Sequence, residues 1–232
     1  MKKPRKFTLY HGTDARILSM SKEEYTSYFA DVNIALAYLW TIWKPLGQKT
    51  MVRELRWPNG ELKGTVPISF LESRKQQFID AGKDALYFNL YEKVNMFSWT
   101  EEGAELYQYG SLYVTTSREI ASDYARRAFA GGERGLIAYR MLEGIEFLGI
   151  PLGNPEERTF NAIQRVKSFA EANEPEPVIV VLDDVAPCDL LSEDGKPADR
   201  KIQLFFDPGI MIDFTFRYVK DVDLSLFPFE RI

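Results

Sequence analysis

The sequence contains very little cysteine and histidine. Among 232 residues it has one cysteine, Cys188, and one histidine, His11. A single cysteine excludes an intrachain disulfide, and one cysteine with one histidine cannot assemble a Cys/His zinc cluster. This composition is typical of a reducing compartment, so we expect a cytoplasmic protein.

Several longer sequence patterns are also absent. No stretch approaches the ~20 apolar residues of a membrane helix, and the basic N-terminal residues are not followed by the apolar core of a signal peptide. The sequence lacks the Gly-x-Ser-x-Gly elbow of serine hydrolases and the Gly-x-Gly-x-x-Gly turn of dinucleotide dehydrogenases. These absences argue against a membrane protein, a serine hydrolase and a dehydrogenase.

Charge is unevenly distributed along a chain that is acidic overall. The net charge is −5 and the isoelectric point is about 5.2. The first sixty residues, however, hold ten Lys and Arg against five Asp and Glu. With Trp40, Trp43 and Trp57 nearby, this segment could offer charge and stacking surfaces to a nucleic acid. A solvated basic tail and tryptophans buried in a core would explain the same residues.

Composition and hydrophobic periodicity predict one α+β domain over residues 1–232. The chain is 45% hydrophobic and 14% aromatic, which is enough to bury a sizeable core. Helices dominate the first half. A capping box opens a helix near Lys22–Trp43, a second helical region spans Glu72–Lys93, and Arg53–Val66 predicts a hairpin or an irregular connection.

Strands dominate the second half. Ser117 caps one predicted helix there, which Gly131 and Gly132 end, and another helix is predicted near Pro155–Ala172. The predicted strands, including the first one of the chain, are Phe7–Tyr10, Ser111–Thr115, Leu136–Met141, Ile145–Leu148, Val178–Leu182, Ile202–Phe206 and Ile210–Tyr218.

Two motifs carry candidate chemistry. His11 ends the first predicted strand in Leu9-Tyr-His-Gly-Thr13, where a flat ligand could lie against the backbone of Gly12, which has no Cβ. Downstream, Tyr109-Gly-Ser-Leu-Tyr-Val-Thr-Thr-Ser117 runs into a helix that carries Tyr124. Each motif alone is equally compatible with an ordinary strand or helix face.

Taken together and in this order, the motifs resemble the His-Tyr-Glu branch of the ADP-ribosyltransferase superfamily. That branch includes the poly(ADP-ribose) polymerases, the diphtheria-toxin group and many bacterial toxins. The resemblance is confined to short patches, and the region between Ser21 and Trp99 has no counterpart in it. It implies a split antiparallel β-sheet core with a helical insertion after the first strand, at about residues 21–99.

The resemblance also implies that NAD⁺ is the substrate. His11 would hydrogen-bond a ribose hydroxyl on the adenosine side, and Gly12 would hold the nicotinamide carboxamide through its backbone. Tyr113 would stack on the nicotinamide ring, and Tyr124 would close its opposite face. The other implied contacts are Tyr10, Thr13, Arg16 at the pyrophosphate and Ser117 at the amide. A surface ion pair for Arg16 and a pure helix cap for Ser117 stay open.

The third family element is an acid at the start of a strand near the C-terminus, and here the sequence departs from the pattern. No glutamate occurs from Asp207 to Val222. Asp213 fits best, because it opens Asp-Phe-Thr-Phe-Arg-Tyr in the manner of the family's acid and final strand. Asp207 and Glu230 are the alternatives, and Asp213 could also be a plain turn residue.

An acid is required because cleavage of the nicotinamide–ribose bond develops an oxocarbenium ion. A carboxylate near the ribose 2′-OH strengthens its hydrogen bond as the positive charge appears. In this family a departure from glutamate affects poly-ADP-ribose elongation before single transfer, so we expect mono-ADP-ribosylation. Nicotinamide itself leaves, so neither a metal nor a redox step is required.

The resemblance to bacterial toxins predicts a toxin-like or phage-defence transferase. Its acceptor would be a macromolecule, either protein or nucleic acid, and an antitoxin protein would mask its NAD⁺ cleft or reverse the modification. Two alternatives remain: a catalytically inactive NAD⁺-binding or interaction module of the same fold, and an NAD⁺ glycohydrolase.

Overall fold

The computed structural model describes residues 7–95, 112–172, 174–192, 195–207, 212–220 and 223–232. The chain divides into two compact units. The first comprises the described residues within Met1–Phe29, Glu105–Leu136 and Ser168–Ile232, and the second those within Ala30–Ala104 and Ile137–Lys167. The single domain expected from composition stays a prediction, because it concerns whether both units fold together.

The described residues form eight strands and eight α-helices. The strands are β1 (Phe7–Asp14), β2 (Thr50–Arg56), β3 (Leu62–Ser69), β4 (Leu112–Thr115), β5 (Pro177–Val185), β6 (Leu190–Leu191), β7 (Thr215–Tyr218) and β8 (Phe229–Arg231). The α-helices are α1 (Ala15–Leu18), α2 (Lys22–Gly47), α3 (Phe70–Asp80), α4 (Asp84–Leu90), α5 (Arg118–Arg127), α6 (Glu133–Leu148), α7 (Glu157–Glu171) and α8 (Asp199–Phe205). A π-helical turn follows α4 at Tyr91–Asn95, and a 3₁₀ turn follows α5 at Ala128–Ala130.

The first unit is built on a six-stranded antiparallel sheet. Its strand order is β6-β7-β4-β1-β5-β8, with β1 between β4 and β5. The mixed α/β character with an antiparallel sheet agrees with the predicted fold class. β1 continues past its predicted end at Tyr10, because Gly12, Thr13 and Asp14 pair with residues at the start of β5.

One face of this sheet carries an aromatic core. Phe7 and Leu9 of β1 pack there with Val114 of β4 and Phe216 of β7. The other face of β1 lies against α5 at Gly12. β1 is therefore covered on both faces, as expected of a strand with apolar residues such as Phe7 and Leu9.

The second unit combines the hairpin β2–β3 with helices. The hairpin prediction is confirmed, since Thr50 pairs with Ser69 and Arg56 with Leu62. Trp43 is fully buried, and its indole N–H donates to the carbonyl oxygen of Met141 at 3.1 Å. Trp57, in contrast, is 51% exposed. The tryptophans of the basic segment thus divide between core and surface.

The predicted helix starts agree with the structure better than the predicted helix lengths. The capping box is present: Ser21 N–H donates to Glu24 Oε2 at 2.8 Å, and Glu24 N–H donates to Ser21 Oγ at 3.2 Å. The helical region predicted over Glu72–Lys93 is confirmed, but it is divided into α3 and α4, which are separated at Gly82, whose φ is +66°. Glycine favours this left-handed conformation, which ends a helix.

Three predicted strands are wrong. Leu136–Met141 and Ile145–Leu148 lie in α6, and Ile202–Phe206 lies in α8 and at its end. In α6 the buried hydrophobic side chains are those of Ala138, Met141, Leu142 and Ile145, which follow the i, i+3, i+4, i+7 spacing of a helix. A short apolar run does not by itself distinguish a strand from a buried helix.

None of the described helices is both long and apolar enough to cross a membrane.

Candidate functional site

The structure brings His11 and Tyr113 together. The Nδ1 atom of His11 lies 2.8 Å from the carbonyl oxygen of Tyr113, although the two residues are 102 positions apart in sequence. β1 and β4 pair at Tyr10 and Thr115. The His11 imidazole adds a side-chain contact between the same two strands. Because a carbonyl oxygen only accepts, Nδ1 must carry the proton, and Nε2 of the neutral ring is left as an acceptor.

Burial affects the charge of this histidine. Removal of the ring from water lowers the pKa of His11 below its usual value, while the hydrogen bond to the Tyr113 carbonyl acts in the opposite direction. His11 is therefore neutral at physiological pH. Its free ring nitrogen is thus suited to accept a hydrogen bond from a hydroxyl group.

Three of the other implied NAD⁺ contacts in the strands share one face of the sheet, opposite to the face of Leu9 and His11. Tyr10 pairs with Thr115 and therefore shares its face, and Tyr113 lies two residues before Thr115 on β4. Gly12 lies two residues after Tyr10 on β1, so it presents the same face. Tyr10, Gly12 and Tyr113 are half-buried, which leaves them partly accessible.

Gly12 is required by the packing of α5. A Cβ added at this position would lie 1.9 Å from the carbonyl oxygen of Ala121 and 2.6 Å from the amide nitrogen of Ala125. Both atoms belong to the helix backbone, so no side-chain movement can relieve the overlap. The absence of a side chain at Gly12 therefore fixes how closely the helix that carries Tyr124 approaches β1.

Ser117 and Tyr124 are placed by that same helix. Ser117 Oγ accepts from the amide of Ile120 at 3.3 Å, which confirms its predicted role as the N-cap of α5. Tyr124 is 44% exposed. An aromatic side chain so exposed contributes little to a core.

Thr13 and Arg16 have structural surroundings. Thr13 is buried in β1. The Arg16 guanidinium forms a two-bond fork with the buried carboxylate of Asp14, at 2.8 and 2.9 Å. Its other N–H groups donate to backbone carbonyls of Phe129, Phe169 and Ala172. To bind a pyrophosphate, Arg16 would have to give up one of these bonds.

Asp213 lies in an exposed segment two residues before β7. Its neighbour Phe214 exchanges hydrogen bonds with Thr116, each 2.9 Å long. Asp213 is thereby placed near Ser117. Tyr113 instead faces Arg217, and four residues at 3.3 Å each set the backbone of Asp213 about 13 Å from that position.

The two alternative acids are also exposed. Asp207 follows α8. Glu230 lies on β8, where it pairs with Ile179, which in turn pairs with Gly12. The carboxylate of Glu230 forms an ion pair with Arg118 at the start of α5. None of the three acids contacts His11 directly in the described hydrogen bonds and ion pairs.

A shallow cavity of about 350 Å³ lies at another place in the first unit. Its lining includes Arg16, Glu176, Phe229 and Arg231. Glu176 and Arg231 form an ion pair across 3.1 Å. The cavity shares neither His11 nor Tyr113, so we assign the candidate site to the His11–Tyr113 contact, where the sequence motifs converge.

Sequence reasoning missed three residues that the structure places beside the motifs. Asp14 is fully buried and caps α1. Its Asp-x-Arg spacing was the available signal. Arg118 directly follows Ser117 in the sequence. Arg217 had no signal, because only the pairing of β7 with β4 brings it opposite Tyr113.

The chain was compared with known proteins at three levels. No family model, no curated protein and no solved structure matches it.

Proposed function

We propose that this chain is an NAD⁺-dependent mono-ADP-ribosyltransferase with its site at the His11–Tyr113 contact. The observation that carries the proposal is the 2.8 Å hydrogen bond between His11 and the Tyr113 carbonyl. Two motifs recognised in the sequence as parts of one NAD⁺ site are thereby neighbours. Gly12 also packs against the helix that carries Tyr124, which supports a single site formed by both motifs.

The proposed roles follow from the chemistry of each group. Neutral His11 accepts a hydrogen bond from a ribose hydroxyl through Nε2, while Nδ1 remains bound to Tyr113. Tyr113 and Tyr124 stack on the faces of the nicotinamide ring, and Gly12 offers backbone groups to its carboxamide. Such contacts orient the dinucleotide so that its nicotinamide–ribose bond is exposed to the acceptor.

The proposed reaction breaks the bond between ribose C1 and the nicotinamide nitrogen. The bonding electron pair leaves with nicotinamide, which becomes neutral. A nucleophilic oxygen or nitrogen of the acceptor then bonds to C1 and loses its proton to solvent or a nearby base. Asp213 is the proposed acid that stabilises the oxocarbenium character through the ribose 2′-OH. No redox change occurs in this scheme.

The test is transfer of label from NAD⁺ carrying ³²P in its adenylate phosphate. Purified protein is incubated with this NAD⁺ and a cell lysate, and the products are treated with protease or nuclease. We expect label on a macromolecule with the wild type and its loss in His11→Ala, Tyr113→Ala and Asp213→Ala. The treatment that removes the label identifies the acceptor as protein or nucleic acid.

Val52→Ala is the matched control, because Val52 is 68% exposed on the hairpin of the second unit. It should transfer label like the wild type. Nicotinamide release without transfer would favour an NAD⁺ glycohydrolase. Measurable NAD⁺ binding with neither transfer nor release would overturn the enzyme proposal.

The second candidate is an inactive NAD⁺-binding module of the same fold. Two observations favour it: the expected glutamate is absent from Asp207 to Val222, and Asp213 lies with Ser117 and not beside Tyr113. This module would bind NAD⁺ through the same tyrosines. The two candidates therefore differ in turnover and agree in binding.

A toxin or defence role is the proposed biological setting, with an antitoxin as the partner. It is supported by the same motif resemblance to bacterial toxins. Induced expression of the wild type should arrest bacterial growth, whereas His11→Ala should not. Growth arrest that persists in His11→Ala would show that toxicity does not depend on this site.

A further inference from the structure

We propose that Arg16 is a positioning residue that fixes the nicotinamide end of the site, and that it does not bind the NAD⁺ pyrophosphate. The inference rests on the proposed function and assigns a specific task to one residue of that site. It follows from the contacts of the guanidinium group.

Every N–H of the Arg16 guanidinium has a protein acceptor. Nε and one Nη2 hydrogen bond reach the two carboxylate oxygens of Asp14, at 2.8 and 2.9 Å. Nη1 donates to the carbonyls of Phe169 and Ala172 at 2.8 and 2.7 Å, and Nη2 also donates to Phe129 at 2.7 Å. A guanidinium has five such donors, and all five are used.

The Asp14 carboxylate makes this arrangement costly to open. Its side chain is 1% exposed, and that of Arg16 is 19% exposed. If Arg16 turned toward a pyrophosphate, Asp14 would remain as a buried charge without its partner, which is strongly unfavourable. The Arg16 ring contact with Phe169, at 4.5 Å, would also be lost.

The acceptors show what the guanidinium holds in place. Asp14 ends β1, two residues after Gly12. Phe129 lies in the 3₁₀ turn directly after α5, and Phe169 and Ala172 lie at the end of α7. Arg16 therefore ties the end of β1 to the end of α5.

This connection matters at Gly12. α5 crosses Gly12 at Ala121 and Ala125, at a distance that leaves no room for a Cβ. The same helix carries Tyr124, one of the two proposed stacking residues. By fixing the end of α5 relative to β1, Arg16 sets the position of Tyr124, and with it one of the proposed contacts of the nicotinamide.

Two small ligands separate positioning from pyrophosphate binding. Nicotinamide has no phosphate, and ADP-ribose has the pyrophosphate but no nicotinamide. Their affinities are measured by calorimetry for the wild type, Arg16→Lys, Arg16→Gln and Asp14→Asn. Lysine keeps the charge but cannot form a planar fork, glutamine removes the charge, and Asp14→Asn leaves Arg16 itself intact.

We expect the Arg16 variants and Asp14→Asn to weaken nicotinamide binding by about tenfold, because a misplaced contact group loses most of its binding contribution. The double variant Arg16→Lys with Asp14→Asn should bind nicotinamide no more weakly than either single variant, since each single variant already removes the Arg16–Asp14 fork. A selective loss of ADP-ribose affinity in the Arg16 variants, with Asp14→Asn unchanged or improved, would overturn the proposal.

The matched control is the pair Asp123 and Arg126 on α5. Their side chains are 61% and 63% exposed and form an ion pair at 3.5 Å. Asp123→Asn and Arg126→Lys repeat the same chemical changes on the surface. They should leave nicotinamide affinity unchanged.

A spectroscopic measurement keeps this test independent of the proposed function. His11 is the only histidine, so its ring gives a single pair of imidazole proton signals in NMR spectra of the folded protein. Arg16→Lys and Asp14→Asn should shift these signals and their titration midpoint, while the control variants should not. Wild-type protein that binds neither small ligand would refute the NAD⁺ site, whereas unshifted His11 signals in folded variants would refute the positioning role.

Discussion

His11 Nδ1 lies 2.8 Å from the carbonyl oxygen of Tyr113, and this contact assigns the two ring nitrogens different tasks. Nδ1 joins β1 to β4, and Nε2 is left for a ligand. Substitutions that imitate one nitrogen at a time can therefore separate structure from binding.

His11→Asn places an amide N–H near the position of Nδ1, and His11→Gln extends its amide toward the position of Nε2. We expect His11→Asn to retain the stability of the wild type and to lose transfer by about 100-fold, the usual effect of removing one oriented hydrogen bond at a reacting centre. His11→Gln should lose about 1 kcal/mol of stability from the missing Tyr113 bond. Urea unfolding and NAD⁺ turnover measure the two effects, and a stable, fully active His11→Asn would contradict the assignment.

The lowered pKa of His11 predicts a pH dependence of stability. In the unfolded chain this histidine binds a proton near its ordinary pKa of 6.5, while the folded state binds it only at lower pH. Between these two values the unfolded state holds more protons, so stability falls as pH decreases below about 6.5, by at most about 1.4 kcal/mol per pH unit. Urea midpoints between pH 5 and 8 measure this slope.

His11→Asn is the control for that dependence, because it removes the only titrating imidazole. Its slope through pH 6.5 should be smaller than that of the wild type. Equal slopes for the two proteins would show that other groups produce the effect. Transfer activity should fall at the lower pH at which the folded protein binds this proton, since protonated Nε2 no longer accepts a hydrogen bond.

Gly12→Ala should destabilise the first unit. Its Cβ would overlap the backbone of α5 at Ala121 and Ala125, and overpacking of this kind costs about 1 to 3 kcal/mol. Gly60→Ala provides the comparison, because Gly60 has a φ of +88° and open space around it, so only the backbone conformation is strained. Thermal unfolding should show a lower midpoint for Gly12→Ala than for Gly60→Ala, and in the transfer assay Gly60→Ala should remain active toward NAD⁺.

Tyr124→Ala should change NAD⁺ binding and leave stability almost unchanged. The side chain is 44% exposed, so its removal uncovers little core. A lost stacking contact of about 1 to 2 kcal/mol corresponds to a roughly tenfold higher KM for NAD⁺. Tyr124→Phe keeps the ring and should behave like the wild type. An unchanged KM in Tyr124→Ala would show that Tyr124 does not contact NAD⁺.

The acid is identified by comparing three charge-removing variants: Asp213→Asn, Asp207→Asn and Glu230→Gln. We expect Asp213→Asn to reduce transfer by at least about 100-fold with NAD⁺ affinity retained, because its carboxylate acts mainly in the transition state. Glu230→Gln breaks an exposed ion pair with Arg118 and should cost less than about 1 kcal/mol of stability. Loss of transfer in Glu230→Gln alone would assign the role of the acid to Glu230 on β8.

Local sequence signals determined several parts of this protein. The Ser21 capping box, the Ser117 cap and the turn between β2 and β3 were predictable, because each depends on side chains within a few residues of the feature. The strand that carries His11 and the strand that carries Tyr113 were also predictable from their short apolar and β-branched patterns, although the continuation of β1 to Asp14 was not.

Only the tertiary structure decided how these parts meet. Whether the apolar run at Leu136–Met141 is a strand or a helix depends on which neighbours bury it, and the sequence does not contain that information locally. The contact of His11 with Tyr113 closes a separation of 102 residues, and three of the five Arg16 hydrogen bonds depend on carbonyls from two other segments. Composition and spacing determined the elements, and long-range pairing determined the site, because hydrogen bonds between distant segments are specified only when the whole sheet has formed.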